Sequence, residues 1–171
     1  NNLNYERIKN YKNVINEIKD EKISQMIIKA NTESVLDLII GILIGCNYYE
    51  IKFPYTYAQE GKLLNIVFED FDPKKKYDKL ENLEDFDFEI LTLDMNNKKF
   101  GTDNDSFSKG CQCFSCLTGY KISYLHHLYK CKELNGPIIS SIHNCFQVME
   151  LYKKLNEIKD DEEKLNNYLG W

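Results

Sequence analysis

The amino-acid sequence predicts a mixed α/β fold, and three neighbouring segments indicate it. Residues 23–29 form a short apolar run that is typical of a strand. Residues 33–44 are apolar on almost every face of a helix, which predicts a buried helix capped by Asn31 or Thr32. Residues 48–53 are again strand-like and stop at Pro54. A strand, a helix and a strand with short links favour a parallel βαβ unit with a right-handed crossover.

One βαβ unit cannot cover both faces of a parallel sheet, so this part is expected to belong to a larger α/β fold. Hydrophobic periodicity and turn residues predict the other elements. In chain order these are a helix at 3–18, strands at 61–68 and 88–93 around a mobile charged loop at 69–85, a helix at 120–131, and a long helix from Gly136-Pro137 to residue 158.

Composition excludes some classes of function. With 27 acidic and 22 basic side chains the 171-residue chain has a net charge of −5, which argues against strong independent binding of nucleic acid. The longest apolar run, 38–45, is far shorter than the roughly 20 residues that a membrane-spanning helix needs. No signal peptide is visible, and we expect a cytoplasmic protein in a reducing compartment.

Three thiols lie within six residues, at Cys111, Cys113 and Cys116. A disulfide between the first two would be badly strained, and clustered thiols in a reducing compartment suit a metal better. Zn²⁺ takes thiolate and imidazole ligands in a tetrahedron, so a fourth ligand must come from elsewhere in the chain.

Five residues are candidates for that fourth ligand, and the pattern alone leaves them open: His126, His127, Cys131, His143 and Cys145. The alternative for the histidine pair is ordinary helix residues, one packed and one in solvent. The alternative for Cys131 and Cys145 is small buried apolar residues.

The knuckle CQCFSC, the later stretch YLHHLYKCKEL and the pair IHN resemble the zinc-binding region of the tRNA-guanine transglycosylases, also called queuine tRNA-ribosyltransferases. The resemblance covers roughly residues 20–158, with one extra residue in the loop at 117–123. It implies that His143 is the fourth ligand and that one structural Zn²⁺ is bound. Four protein ligands leave no position for water, which is typical of structural zinc.

The family fold is a (β/α)₈ barrel with a zinc-binding subdomain inserted near its C-terminal end. The resemblance therefore implies that this chain is a C-terminal portion of such a protein. We expect residues 1–60 to be the end of the barrel, 61–110 a β-rich segment with a charged loop, and 111–171 a helical zinc-binding subdomain.

Catalytic members of the family exchange guanine at the tRNA wobble position for queuine, through an Asp nucleophile in a motif like Phe-Asp-Cys-Val-x-Pro-Thr-Arg. The matching stretch, 49–56, has Glu50 in place of that Asp, Tyr55 in place of the Thr, and no Arg. A carboxylate on a chain one methylene longer misplaces the nucleophile, and about 1 Å can cost on the order of 10²-fold in rate. We therefore expect no catalytic residue in this chain.

The stretch KFPYTYAQEGKLLNIVF instead resembles the accessory, non-catalytic subunit of the eukaryotic enzyme. This implies a heterodimer with the catalytic subunit, or a homodimer, that binds tRNA as a complex. Two alternatives remain: a divergent catalytic transglycosylase with Glu50 as its nucleophile, and a stand-alone zinc-dependent interaction module.

Overall fold

The computed structural model describes residues 10, 13, 14, 17, 29–66, 91–161 and 164. The chain forms two compact units, of which the described parts are mainly 29–51 with 152–161, and 52–66 with 91–151. Most of the predicted helix at 3–18 and all of the predicted loop at 69–85 lie outside the described residues.

The first unit contains the predicted βαβ arrangement. Strand β1 (Lys29–Thr32) pairs in parallel with strand β2 (Tyr48–Ile51), and helix α1 (Val35–Leu43) connects them. Helix α1 begins later than predicted, because Ser34 is its N-cap and accepts a hydrogen bond from the backbone of Asp37. The predicted capping residues, Asn31 and Thr32, belong to β1 instead. Of the predicted strand at 23–29 only its last residue, which begins β1, is described.

Helix α1 packs closely on both strands because of a glycine. A Cβ atom on Gly41 would lie 3.0 Å from Cε1 of Tyr49 and 3.1 Å from Cβ of Ala30, two residues that face each other across β1 and β2. The buried side of the helix includes Leu38 and Ile42, which are almost fully shielded from solvent. Any side chain at position 41 would push the helix away from the sheet.

The second unit begins with an element that the sequence pattern does not predict. Pro54 does not simply end a strand: it lies in the first turn of helix α2 (Phe53–Gln59), where a missing N–H has no cost. Strand β3 (Lys62–Leu64) follows and pairs in antiparallel fashion with β4 (Thr92–Asp94). Both strands are shorter than the predicted ones, and residues 67–90 lie outside the described part.

The rest of the second unit is helical. A 3₁₀ helix (Lys98–Thr102) is followed by helix α3 (Phe114–Leu117), helix α4 (Ile122–Lys130) and helix α5 (Asn135–Ile158), of which 135–151 belong to this unit. The structure confirms the predicted helices at 120–131 and 137–158 to within a few residues. The core of the unit is apolar and is formed by Leu63, Met95, Phe100, Phe107, Ile122, Leu125, Leu128 and Ile139.

The described residues form a mixed α/β structure with one parallel and one antiparallel sheet of two strands each. They do not include a closed barrel. None of the helices in the described part of the chain is long and apolar enough to cross a membrane.

Candidate metal centre

The cysteine knuckle is a tight turn that begins and ends with glycines in the left-handed region. Gly110 has a φ of 74° before Cys111, and Gly119 has a φ of 84° after helix α3. Cys113 is the N-cap of α3, and its sulfur accepts a hydrogen bond of 3.3 Å from the backbone N–H of Cys116. This capping orients the sulfur of Cys113 toward the first turn of α3.

Helix α5 brings His143 to the three thiols. Its Nδ1 atom lies 3.7 Å from Sγ of Cys111, 3.3 Å from that of Cys113 and 3.5 Å from that of Cys116. All four donor atoms lie within 4.8 Å of one another. A tetrahedral ion with Zn–S of about 2.3 Å and Zn–N of about 2.0–2.1 Å sets its sulfur and nitrogen ligands about 3.5 Å apart. The four residues therefore fit a single tetrahedral metal ion.

The imidazole of His143 is held in place by contacts on the side that faces away from the three thiols. The ring is fully buried, and Nε2 lies 2.8 Å from the backbone carbonyl of Leu64, to which its N–H donates. The Phe107 ring packs edge-on against it, with centroids 5.5 Å apart. The hydrogen bond keeps a proton on Nε2, so Nδ1, the nitrogen that faces the sulfurs, is the one that can bind a metal ion once His143 is neutral.

Side chains of α5 also form hydrogen bonds with backbone groups of β3 and of Ile66, which lies two residues beyond the end of β3. Asn144 accepts a hydrogen bond from the N–H of Leu64 (2.8 Å) and donates to the carbonyl of Lys62 (3.0 Å). Gln147 accepts from the N–H of Ile66 (2.9 Å). These backbone groups thus find partners on α5, as buried backbone groups must.

The other candidate ligands lie away from the cluster. His126 is buried, and its Nδ1 donates to the carbonyl of Met95 at 2.7 Å. His127 is exposed, 3.7 Å from the exposed sulfur of Cys131. The expectation of one packed and one exposed histidine is confirmed. The expectation that Cys131 and Cys145 are buried is wrong, because both residues are exposed.

Protons are unevenly shared in the cluster when no metal is bound. A hydrogen bond from Cys116 lowers the pKa of Cys113 to about 3, although burial opposes this shift. The same hydrogen bond, together with burial, raises the pKa of Cys116. Burial alone would lower the pKa of His143, but hydrogen bonds to Cys111 and Cys113 raise it to about 9. A divalent cation would displace the protons on Cys116 and His143.

Glu50, which the sequence resemblance matches with the family's nucleophilic Asp, lies on β2 in the first unit. Its Oε2 forms an ion pair with Nζ of Lys29 on β1 at 2.5 Å. The Glu50 side chain is 37% exposed and that of Lys29 49% exposed. The backbone carbonyl of Glu50 accepts a hydrogen bond of 3.0 Å from the hydroxyl of Thr32. The carboxylate is therefore engaged in pairing the two strands.

Comparisons with known proteins identify the family of the chain. The family model described as queuine tRNA-ribosyltransferase matches residues 11–164. The chain is 30% identical over 121 residues to queuine tRNA-ribosyltransferase accessory subunit 2 of Culex quinquefasciatus, and 29% identical over 121 residues to the protein of that name from Caenorhabditis elegans. It is 25% identical over 180 residues to a queuine tRNA-ribosyltransferase-like protein of Plasmodium falciparum.

These matches cover different shares of each protein. The two accessory subunits match 71% of this chain, and the chain spans 25% of the Culex protein and 28% of the Caenorhabditis protein. The Plasmodium match covers 98% of this chain and 71% of that protein. Since the family model covers most of the chain, the chain belongs to the queuine tRNA-ribosyltransferase family.

Proposed function

We propose that the chain is part of an accessory, non-catalytic subunit of a queuine tRNA-ribosyltransferase. In this role it supports the exchange of guanine for queuine at the tRNA wobble position, which a catalytic partner subunit carries out. The observation that carries the proposal is Glu50. It occupies the position of the family's nucleophilic Asp and is ion-paired to Lys29.

A nucleophilic carboxylate must reach the ribose carbon with a free oxygen. Oε2 of Glu50 lies 2.5 Å from a lysine ammonium on the neighbouring strand, so one of its two carboxylate oxygens is already paired. The Glu side chain is longer than that of Asp, and no Arg follows residues 49–56. Both features argue against Glu50 as a catalytic nucleophile. Two relatives that carry the name accessory subunit 2 support the same reading.

The metal in the proposal is one structural Zn²⁺ with Cys111, Cys113, Cys116 and His143 as its ligands. Four protein donors close the coordination sphere, so the ion would stabilise structure and not activate water. Because its ligands come from the knuckle and from α5, it would join two segments that are distant in sequence. Apparent binding free energies of structural zinc, about 10–16 kcal/mol in zinc-finger peptides, exceed the stability of most small domains.

The βαβ arrangement of the first unit supports a further proposal about architecture. We propose that residues 1–60 contribute the last βαβ unit of a (β/α)₈ barrel in the whole protein. Residues 61–110 and 111–171 then form the β-rich segment and the zinc-binding subdomain. Strands β1 and β2 pair in parallel, and parallel sheets are normally buried on both faces. This pair therefore fits a position inside a larger sheet.

The partner would dock on exposed apolar side chains of helices α3 and α4. We call Phe114, Leu117 and Tyr124 the knuckle patch: their exposed fractions are 64%, 67% and 43%. Tyr124 stacks on Tyr120 with the ring centroids 5.6 Å apart. Exposed aromatic and aliphatic side chains of this kind are typical of interaction surfaces. The occupant that the proposal assigns to the patch is the catalytic subunit.

The experiment for the function is a base-exchange assay with labelled guanine and a substrate tRNA. The complete protein is assayed alone, with the catalytic subunit, and as a Glu50→Gln variant with that subunit. The proposal predicts no exchange by the protein alone and full exchange by both complexes. Exchange by the protein alone, lost in Glu50→Gln, would instead support the divergent catalytic enzyme.

The experiment for the metal compares two cysteine variants. Cys113→Ser removes a buried ligand, and Cys145→Ser removes an exposed thiol on α5 that lies outside the cluster. We expect Cys113→Ser to lose the metal and much of its thermal stability. Cys145→Ser is expected to keep one zinc per chain. Equal metal content in both variants would refute the assigned ligands.

A further inference from the structure

Gln147 has an amide group that the fold leaves incompletely satisfied. Its side chain is fully buried, and its Oε1 accepts the N–H of Ile66 at 2.9 Å. Its Nε2 is the one buried side-chain nitrogen or oxygen of the described residues that has no hydrogen-bond partner. A buried unsatisfied donor costs about 1–3 kcal/mol, so this arrangement calls for an explanation.

The amide lies beside the proposed metal centre. Gln147 follows His143 by four residues on α5, which puts both side chains on the same face of the helix. Burial raises the pKa of Cys111, but hydrogen bonding to His143 and to the backbone of Cys113, together with the nearby amide of Gln147, outweighs burial and lowers the pKa. The Gln147 amide thus approaches the Cys111 sulfur without completing a hydrogen bond in the metal-free cluster.

We infer that Gln147 is a positioning residue of the metal centre, whose Nε2–H donates to the thiolate of Cys111 when a metal ion is bound. This inference rests on the proposed metal site. A thiol is a weak acceptor, whereas a metal-bound thiolate carries negative charge and accepts a stronger, charge-assisted bond. The donor that is unsatisfied beside a thiol therefore gains its partner upon metal binding.

The amide of Gln147 would then form two hydrogen bonds, one through its oxygen and one through its nitrogen. Its oxygen holds Ile66, at the end of the segment that extends β3, and its nitrogen holds the first ligand of the knuckle. Such bonds orient a ligand and reduce the charge on its sulfur. Loss of a comparable partner in other metal sites costs about 10–100-fold in metal affinity.

Two substitutions separate the two ends of the amide. Gln147→Glu keeps an oxygen that can accept the Ile66 N–H but removes the donor to sulfur. Gln147→Met removes both. Gln112→Glu is the matched control, because it makes the same change next to Cys111 at an exposed side chain whose Nε2 donates to the carbonyl of Gly110.

The test uses the full chain with Co²⁺ as the probe, titrated against a competing chelator. We expect both Gln147 variants to bind Co²⁺ about 10–100-fold more weakly than wild type. Their sulfur-to-cobalt charge-transfer band should move to lower energy, because a thiolate without its hydrogen bond is a better electron donor. Gln112→Glu should stay within about twofold of the wild-type affinity, as expected for a surface change, with an unshifted band.

A second measurement needs no variant. In the ¹¹³Cd-loaded wild-type chain, the side-chain amide protons of Gln147 should show scalar coupling to cadmium through the sulfur of Cys111. Absence of this coupling, or an unshifted band in Gln147→Glu, would overturn the role of Gln147 while the metal site stands. Failure of the wild-type chain to bind Co²⁺ or Cd²⁺ at all would overturn the proposed metal site itself.

Discussion

The Nε2 atom of His143 lies 2.8 Å from the backbone carbonyl oxygen of Leu64, so one imidazole links the cysteine knuckle to strand β3. Its other nitrogen faces three sulfurs at 3.3–3.7 Å. A metal ion bound there would fix α5, the knuckle and β3 relative to one another. Metal binding and the packing of the second unit are therefore expected to be coupled.

Asn144, the neighbour of His143, is expected to carry much of this coupling. Its fully buried side chain hydrogen-bonds the N–H of Leu64 and the carbonyls of Pro54 and Lys62. Asn144→Ala removes these three hydrogen bonds, and a buried backbone group that loses its partner costs about 1–3 kcal/mol. We predict a loss of about 3 kcal/mol or more in the free energy of unfolding, measured by urea denaturation of the metal-loaded protein.

Ser123→Ala is the control for this prediction, because it removes an exposed side-chain hydrogen bond to Asn104 in the same unit. Its effect is expected to stay within about 0.5 kcal/mol. Similar stabilities for the two variants would show that the side-chain bonds to β3 contribute little.

Acidification is predicted to release the metal. The pKa of metal-free His143 is raised to about 9 and that of Cys116 is also raised, so both are protonated at neutral pH. Each metal ion that binds must displace these protons, and the affinity falls as the pH falls, by about 100-fold per pH unit for two protons. Chelator competition at pH 6, 7 and 8 measures the slope, and an affinity that is constant over this range would contradict the protonation states.

The three sulfur ligands are recognisable from the sequence because they are local. Cys111, Cys113 and Cys116 lie within one turn, and only a metal readily explains three thiols at that spacing. The fourth ligand is different, since the residues alone leave five candidates and only the family resemblance favours His143. What distinguishes it is tertiary: α5 places its ring beside the knuckle, while His126 turns toward Met95.

The prediction of helices from the sequence is limited in a similar way. The pattern predicts α4 and α5 well because long amphipathic or capped segments carry their own signal. It does not predict α2, where Pro54 reads equally well as a strand stop or as a first-turn residue. Nor can it predict the contacts of Asn144 and Gln147, whose partners on and beside β3 lie about 80 residues away in the chain.

Glu50→Gln is predicted to leave the activity of the complex with the catalytic subunit unchanged. The ion pair with Lys29 is more than a third exposed on both sides, so solvent screens it and its loss should cost no more than about 1 kcal/mol. Guanine exchange and thermal unfolding measure the two effects. A large loss of exchange with an unchanged melting temperature would mark Glu50 as a catalytic residue.

The knuckle patch is predicted to carry binding energy for the partner. Phe114→Asp places a charge on an exposed position of α3 and should weaken association with the catalytic subunit at least about tenfold, as for an interface anchor. Phe114→Leu keeps an apolar side chain and should retain most of the affinity. Analytical ultracentrifugation measures both, and metal content should be unchanged. Equal association by the two variants would place the interface elsewhere.

The most direct test of the account is X-ray absorption at the zinc edge, combined with metal analysis of protein purified without chelators. The account predicts one zinc per chain with three sulfur ligands at about 2.3 Å and one nitrogen at about 2.0–2.1 Å. Protein without bound metal, or a first shell that contains oxygen from solvent, would contradict a closed site formed by Cys111, Cys113, Cys116 and His143.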